Sequence, residues 1–244
     1  MYIFVTTPLV AEMLLVPSRL RFRGFFFLKM NVSFLIDGFN LYHSIEDLYK
    51  TNYTKAKWLD VKTLLRTYFT DPDFKNLSEE KHLFNGIYYF TALRHHVAEE
   101  KPQSIARHER YINALESTGI EVIYGGFKPK TINCHKCGKD FIKYEEKKTD
   151  VAIATKLLEL VNKSHSEVYV IVSGDTDLIP AIETARIIDN NVKIVLVFPF
   201  NRTNDELKTY ADLSYTIKPK RYKSCQFDGL IKIGTKQFAK PANW

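Results

Sequence analysis

The chain reads as an α/β protein built on a mostly parallel sheet, and three observations carry that reading. Short apolar runs rich in β-branched and aromatic residues alternate with segments of helical period from Met30 to Ile217. The runs at 32–36 and 168–172 are apolar almost throughout, as expected of strands covered on both faces. At 244 residues and 45% hydrophobic content, the chain is long enough to bury one ordinary core. Regular alternation of strand and helix implies parallel pairing through right-handed crossovers.

Taken in order, the first strand is expected at 32–36, followed by helices near 41–49 and 58–68 and a polar loop at 71–80. The second strand, 85–91, contains Tyr88, Tyr89 and Phe90, which are read as core rather than as a base-stacking surface. A helix near 103–117 presents Ile105, Ile112 and Leu115 inward and Arg107 and Arg110 outward. A third strand at 120–124 leads to an inserted arm at 127–148, which carries Cys134 and Cys137. In the helix at 151–162, Val151, Ala154, Leu157, Leu158 and Val161 recur at three- and four-residue steps and define one buried stripe. Strands at 168–172, 192–198 and 213–217 enclose helices near 178–189 and 205–210. Three regions follow: an N-terminal extension at 1–29, expected to be non-structural, a domain at 30–217, and a basic, loosely structured tail at 218–244.

Acidic residues collect where strands end or helices begin. Asp37 and Asn40 stand in FLIDGFNLY, Asp150 in EKKTDVAIA, and Asp175 and Asp177 in VIVSGDTDLIP. Open α/β sheets hold ligands beyond the carboxyl ends of their strands, and in a doubly wound sheet strands one and four meet where the order reverses. Asp37, Asp175 and Asp177 then converge without a long loop, and Asp150 heads a helix entering the same edge. Paired carboxylates at i and i+2, with the hydroxyls of Ser173 and Thr176 beside them, suit a hard divalent cation. Taken singly, each acid has a plainer explanation: Asp150 and Asp177 as helix N-caps, Asp37 as a turn residue before Gly38. Taken together, four carboxylates on one edge repel unless a cation neutralises them.

Charge and cysteine usage narrow the classes. The net charge of +7 is uneven: residues 1–29 carry +3 and 218–244 carry +6, which leaves about −2 for the middle. An acidic pocket served by a phosphate-attracting flank fits that distribution, as does a tail that is merely solvated. Three cysteines are too few for a disulfide framework and point to a cytoplasmic, reducing setting. Pro8, Glu12 and Pro17 interrupt the apolar N-terminal stretch, so neither a membrane span nor a secretory signal is expected. Met30 just before the first strand suggests a start there instead of at Met1, with a partner-contacting arm as the rival reading of 1–29.

The segments FLIDGFNLY, EKKTDVAIA and VIVSGDTDLIPAI resemble the NYN domain, in its LabA-like branch, of the PIN-like nuclease superfamily. The resemblance runs from about Val32 to Ile217, with the three motifs in the family's order. It implies a Rossmann-like three-layer α/β/α sandwich and a Mg²⁺- or Mn²⁺-dependent ribonuclease. It carries metal-binding and catalytic roles onto Asp37, Asp150, Asp175 and Asp177, with Asn40 as a polar helper. The resemblance also implies a further acidic residue on an intervening helix, for which Glu146 and Glu109 are the candidates.

Other signals have two readings each. Cys134 and Cys137 form C-x-x-C-G, half of a zinc ribbon; zinc completed by His135, Cys225 or a second subunit, redox chemistry, and a hairpin tip lacking metal all stay open. The arm is also where a homo-oligomer or protein partner would attach. Arg94, Lys130, Lys148, Lys220 and Arg221 are candidates for holding an RNA backbone, or are solvated surface charges. The competing function is a non-catalytic RNA-binding or regulatory module on the same fold. A nucleotide-dependent oxidoreductase is disfavoured, because neither G-x-G-x-x-G nor a P-loop follows any strand.

Overall fold

The computed structural model describes residues 29–77, 81–95, 102–242 and 244. The N-terminal extension up to residue 28 lies outside the described residues. β1 (Lys29–Asp37) is followed by α1 (Gly38–Asn52), α2 (Val61–Arg66), α3 (Pro72–Lys75), β2 (Lys81–Thr91), α4 (Pro102–Ser117) and β3 (Glu121–Tyr124). An antiparallel hairpin, β4 (Gly126–Asn133) and β5 (Asp140–Lys147), leads into α5 (Thr149–Asn162). Then come β6 (Val168–Val172), α6 (Ile179–Ile188), β7 (Lys193–Phe198), α7 (Asp205–Lys208), β8 (Leu213–Thr216), α8 (Pro219–Ser224), β9 (Leu230–Ile233) and β10 (Lys236–Ala239).

Six strands form one sheet in the order β3-β2-β1-β6-β7-β8, every neighbour parallel. All six expected strands are present. Strand order reverses between β1 and β6, which opens a crevice at their carboxyl ends.

Side chains of period two divide the core into two layers. Val32, Phe34 and Ile36 of β1, with Val168, Val170 and Val172 of β6, pack toward α1, α2 and α4. Leu35, Tyr169 and Ile171 point the other way, onto Ile153, Leu157 and Leu160 of α5 and Ala181, Ile182 and Ala185 of α6. Each fully buried chain of this size contributes roughly 1.5–3 kcal/mol, so both layers are needed to hold the sheet. The result is the three-layer α/β/α sandwich that the sequence implies.

Three local expectations change. The polar loop at 71–80 contains α3, because Asp71 caps it by accepting from the Asp73 amide and Pro72 pre-sets its first turn. The buried stripe of α5 is Thr149, Ile153, Leu157, Leu160 and Val161, whereas Val151 is exposed. That helix is apolar nearly all round, so two stripes of equal period compete and only packing decides the phase. The stretch after Lys218 is ordered: α8 buries Tyr222, β9 and β10 pair antiparallel, and Trp244 packs on Trp58 and Tyr111. Its charges are surface charges, while Tyr222, Cys225 and Phe227 enter the first core layer. No helix among the described residues is long and apolar enough to cross a membrane.

Candidate metal centre

β1 ends at Asp37 and β6 at Val172, on adjacent strands, and a set of hydrogen bonds fastens the two exits together. Asp37 caps α1: Oδ1 accepts from the Asn40 amide at 2.9 Å, and Oδ2 accepts from Ser173 Oγ at 2.9 Å. Ser173 Oγ in turn accepts from the Asp175 amide, and Asn40 Oδ1 accepts from the Gly174 amide at 3.2 Å. Asp175 Oδ1 accepts from the Asp177 amide at 3.0 Å, closing a 3₁₀ turn at Thr176–Leu178. Two glycines allow this approach. A Cβ on Gly38 would collide with the Phe90 carbonyl oxygen, and one on Gly174 with the Arg202 carbonyl oxygen. Gly38 is thus required for space rather than for an unusual exit from the strand.

On this frame Asp150, Asp175 and Asp177 each bring a carboxylate oxygen within 4.8 Å of the others. Asp150 stands in the first turn of α5, whose N-cap position is Lys148 in the left-handed region, φ 82°, without a side-chain cap. The caps are therefore Asp37 and Asp175, while Asp150 and Asp177 keep their carboxylates free of capping, the reverse of the plainer reading. Among the described residues, none of the ion pairs involves these three, Asp37 or Glu146. The centre is a set of hard oxygen donors not ion-paired to a protein cation among the described residues, which fits a hard divalent ion.

Asp37 lies outside the group of three but close enough to feel it. Burial pushes its carboxyl up to about 6, outweighing the hydrogen bonds from Asn40 and Ser173, and Asp150 and Asp175 add to the rise. Glu146 comes to the same place from the base of the hairpin, paired in register with Phe127. Burial pushes it up to about 7, with Asp37 and Asp150 contributing. The nearby Thr149 hydroxyl favours its ionised form, although Glu146 Oε1 and Thr149 Oγ1 complete no hydrogen bond of good geometry. Asp150 is also raised, by burial first and then by Asp175 and Asp177. Glu109, the other acidic candidate, is exposed on α4 and does not line the cleft.

Asp37, Glu146, Asp150 and Asp175 line a cleft of about 500 Å³. Arg94, Arg107, His108, Lys57 and Arg202 also line it, together with Tyr42, Phe127, Tyr111 and Trp244. Arg94 lies over the Phe127 ring at 5.9 Å. Burial, and then the charge of Arg94, lowers His108 to about 4, so it is neutral near pH 7. Arg202 and Lys57 are already paired, with Asp47 and Glu46; Arg107 has no ion pair among the described residues.

The remaining sequence candidates fall elsewhere. Ser173 is buried as the link between Asp37 and Asp175, and Thr176 lies in the 3₁₀ turn beside them. Lys130 pairs with Glu145 on the hairpin, Lys148 and Lys220 are exposed outside the cleft, and Arg221 stacks on the Tyr68 ring at 4.2 Å. Cys134 and Cys137 sit at the hairpin tip, and Cys225 is buried in the first core layer. Sequence reasoning placed Arg107 on an outward face and passed over His108 and the cleft role of Trp244. For His108 a signal existed, since it continues the Ile105–Tyr111 stripe at three-residue steps. Trp244 offered none, because its position depends on the whole tail.

No curated protein matches the chain. Among solved structures it is similar to a protein of unknown function from Vibrio parahaemolyticus, with 16% identity over 78% of this chain and 94% of that one and a TM-score of 0.48. The family model of the NYN domain matches residues 31–218, a span that holds every acid of the cleft and both strands that carry its frame. The chain therefore belongs to the NYN domain family, within the PIN-like nuclease superfamily.

Proposed function

We propose that this protein is a metal-dependent ribonuclease of the LabA-like branch, hydrolysing RNA phosphodiester bonds with Mg²⁺ or Mn²⁺ held by Asp150, Asp175 and Asp177. The observation that carries the reading is the convergence of these three carboxylates, none in an ion pair among the described residues, with Asp150 and Asp175 lining a cleft that basic and aromatic side chains also line. The choice of RNA rests on family membership. When bound, a divalent cation would polarise the phosphoryl oxygen and lower the pKa of the attacking water.

The chain's own groups do the rest. Glu146, half-buried and held near neutrality in its protonation, accepts the proton of the attacking water. Asp37 acts chiefly by fixing the two strand exits, since both of its oxygens are engaged. Arg94 and Arg107 attract and orient the phosphates. Phe127 and Trp244 offer ring faces to a base. Three free cysteines fit work in a reducing, cytoplasmic setting.

Cleavage of short single-stranded RNA with Mg²⁺, and its loss on chelation, tests the activity. Asp175→Asn and Asp177→Asn should each slow it by roughly 10²–10⁴-fold, the scale of losing charge stabilisation at a reacting centre. Unchanged cleavage by Asp175→Asn would sink the proposal. RNA retained without product in the wild type would leave a binding module instead.

A further inference from the structure

The tip of the β4–β5 hairpin has no part in the cleft, yet it is built as a metal knuckle. The Cys137 and Gly138 amides both donate to the Cys134 carbonyl oxygen, at 3.2 and 2.7 Å, and the Cys134 amide donates to the Lys139 carbonyl oxygen at 2.9 Å. Gly138 sits in the left-handed region at φ 68°, where a side chain would be strained. This turn folds the chain back so that Cys134 and Cys137 share one side of the tip, with the amides of Lys136 and Cys137 directed toward Cys134 Sγ.

Two thiolates are half of the tetrahedral set that zinc takes in structural sites. Nothing described in this chain supplies the other half. No group of three ligands forms around the pair among the described residues, so His135 does not complete it, and Cys225 is locked in the core. Near the tip, Phe141 and Ile142 stand 50% and 63% exposed as successive residues of β5, so each face of the hairpin carries one exposed apolar side chain. A zinc ion with four thiolates carries a net charge of −2, and Lys136 and Lys139 flank each pair of cysteines. Two tips facing each other would set four lysines around that anion, and the same surface of both chains would meet itself, as a twofold interface requires.

We propose that Cys134 and Cys137 form half of a tetrahedral zinc site completed by the same two cysteines of a second copy of this chain, so that zinc joins two arms into a dimer. The site is independent of the acidic centre and of any nuclease activity.

The test uses the full chain, reduced and loaded with Zn²⁺, analysed for metal content and for mass by light scattering. One zinc per two chains and a dimeric mass are expected, and Co²⁺ in its place should give the absorption of a tetrahedral tetrathiolate. Cys134→Ser and Cys137→Ser should each yield a zinc-free monomer with an unchanged melting curve, since both residues lie at an exposed tip. One zinc per monomer, no zinc on the reduced protein, or a dimer that survives both substitutions would each overturn the proposal.

Discussion

At the scale of single residues, the acidic positions were legible because they mark strand ends, where chain direction is set by local pattern. Which acid caps and which faces outward was not, because that depends on where each helix begins to within a residue. Asp37 shows the consequence. Its folded value of about 6 stands above its ordinary 3.8, so the folded state binds the proton more tightly than the unfolded chain does. Stability from this group is present at low pH and is lost as pH rises from about 4 through 6; Glu146, raised from 4.5 to about 7, extends the same loss to neutrality. Metal-free protein should therefore gain stability from these groups on acidification from pH 8 to 5, and Mg²⁺, which competes with those protons, should raise the Tm more at pH 8 than at pH 5. Asp37→Asn keeps an oxygen for the Asn40 amide and removes the buried charge, so it should stabilise metal-free protein at pH 8 by about 1–3 kcal/mol while lowering nuclease activity. Thermal melts of both proteins in EDTA at the two pH values check this; a destabilised Asp37→Asn at pH 8 would contradict it.

At the scale of elements, all six sheet strands could be read from the chain, since continuous apolar runs bounded by polar loops admit few other structures. Phase within an apolar helix could not. Leu157 and Val161 belong to both stripes of α5, whereas Ile153 and Leu160 were chosen over Val151 only by packing against Tyr169 and Ile171. Close approaches between elements were equally hidden, because a glycine in sequence does not say what it approaches. Gly174 meets the Arg202 backbone after β7, and it is the point at which the β6 exit passes below that loop. Gly174→Ala should cost about 1–3 kcal/mol through overpacking and move Asp175 relative to Asp150, weakening divalent-ion binding. Gly229→Ala, where a Cβ meets nothing within 4 Å, serves as the control. Calorimetry of both variants with and without Mg²⁺ checks it: equal Tm values for the two would mean that the Arg202 loop yields without strain.

At the scale of the molecule, the meeting of the first and fourth sheet strands at the reversal was expected of a doubly wound sheet, and β1 and β6 are neighbours, but the tail was not legible, since its partners lie far away in sequence. The family match ends at residue 218, yet the first core layer continues past it. Tyr222 is fully buried, with its hydroxyl joined to Ser44 Oγ at 2.8 Å and accepting from the Phe200 amide at 2.9 Å. The Asp60 amide donates to the Cys225 carbonyl oxygen, the Phe227 amide to that of Trp58, and Trp58 Nε1 to that of Asp228. Trp244 then closes over Trp58 and Tyr111 at the edge of the cleft. The sequence suggested an electrostatic flank or a merely solvated tail, whereas these contacts make it a strap across the domain. Removing residues 218–244 would strip at least three buried side chains, roughly 1.5–3 kcal/mol each, from a domain whose whole stability is on the order of 5–15 kcal/mol. A chain ending at Ile217 should therefore lose cooperative melting. Tyr222→Phe, which deletes only the hydroxyl, should cost about 1–3 kcal/mol by leaving the Phe200 amide unpaired. Trp244→Ala should leave the fold intact but weaken RNA binding in the cleft. Circular dichroism melts of the three proteins separate the roles: if the shortened chain melts cooperatively within a few degrees of the full one and loses only the salt dependence of RNA binding, the tail is an electrostatic flank and not a strap.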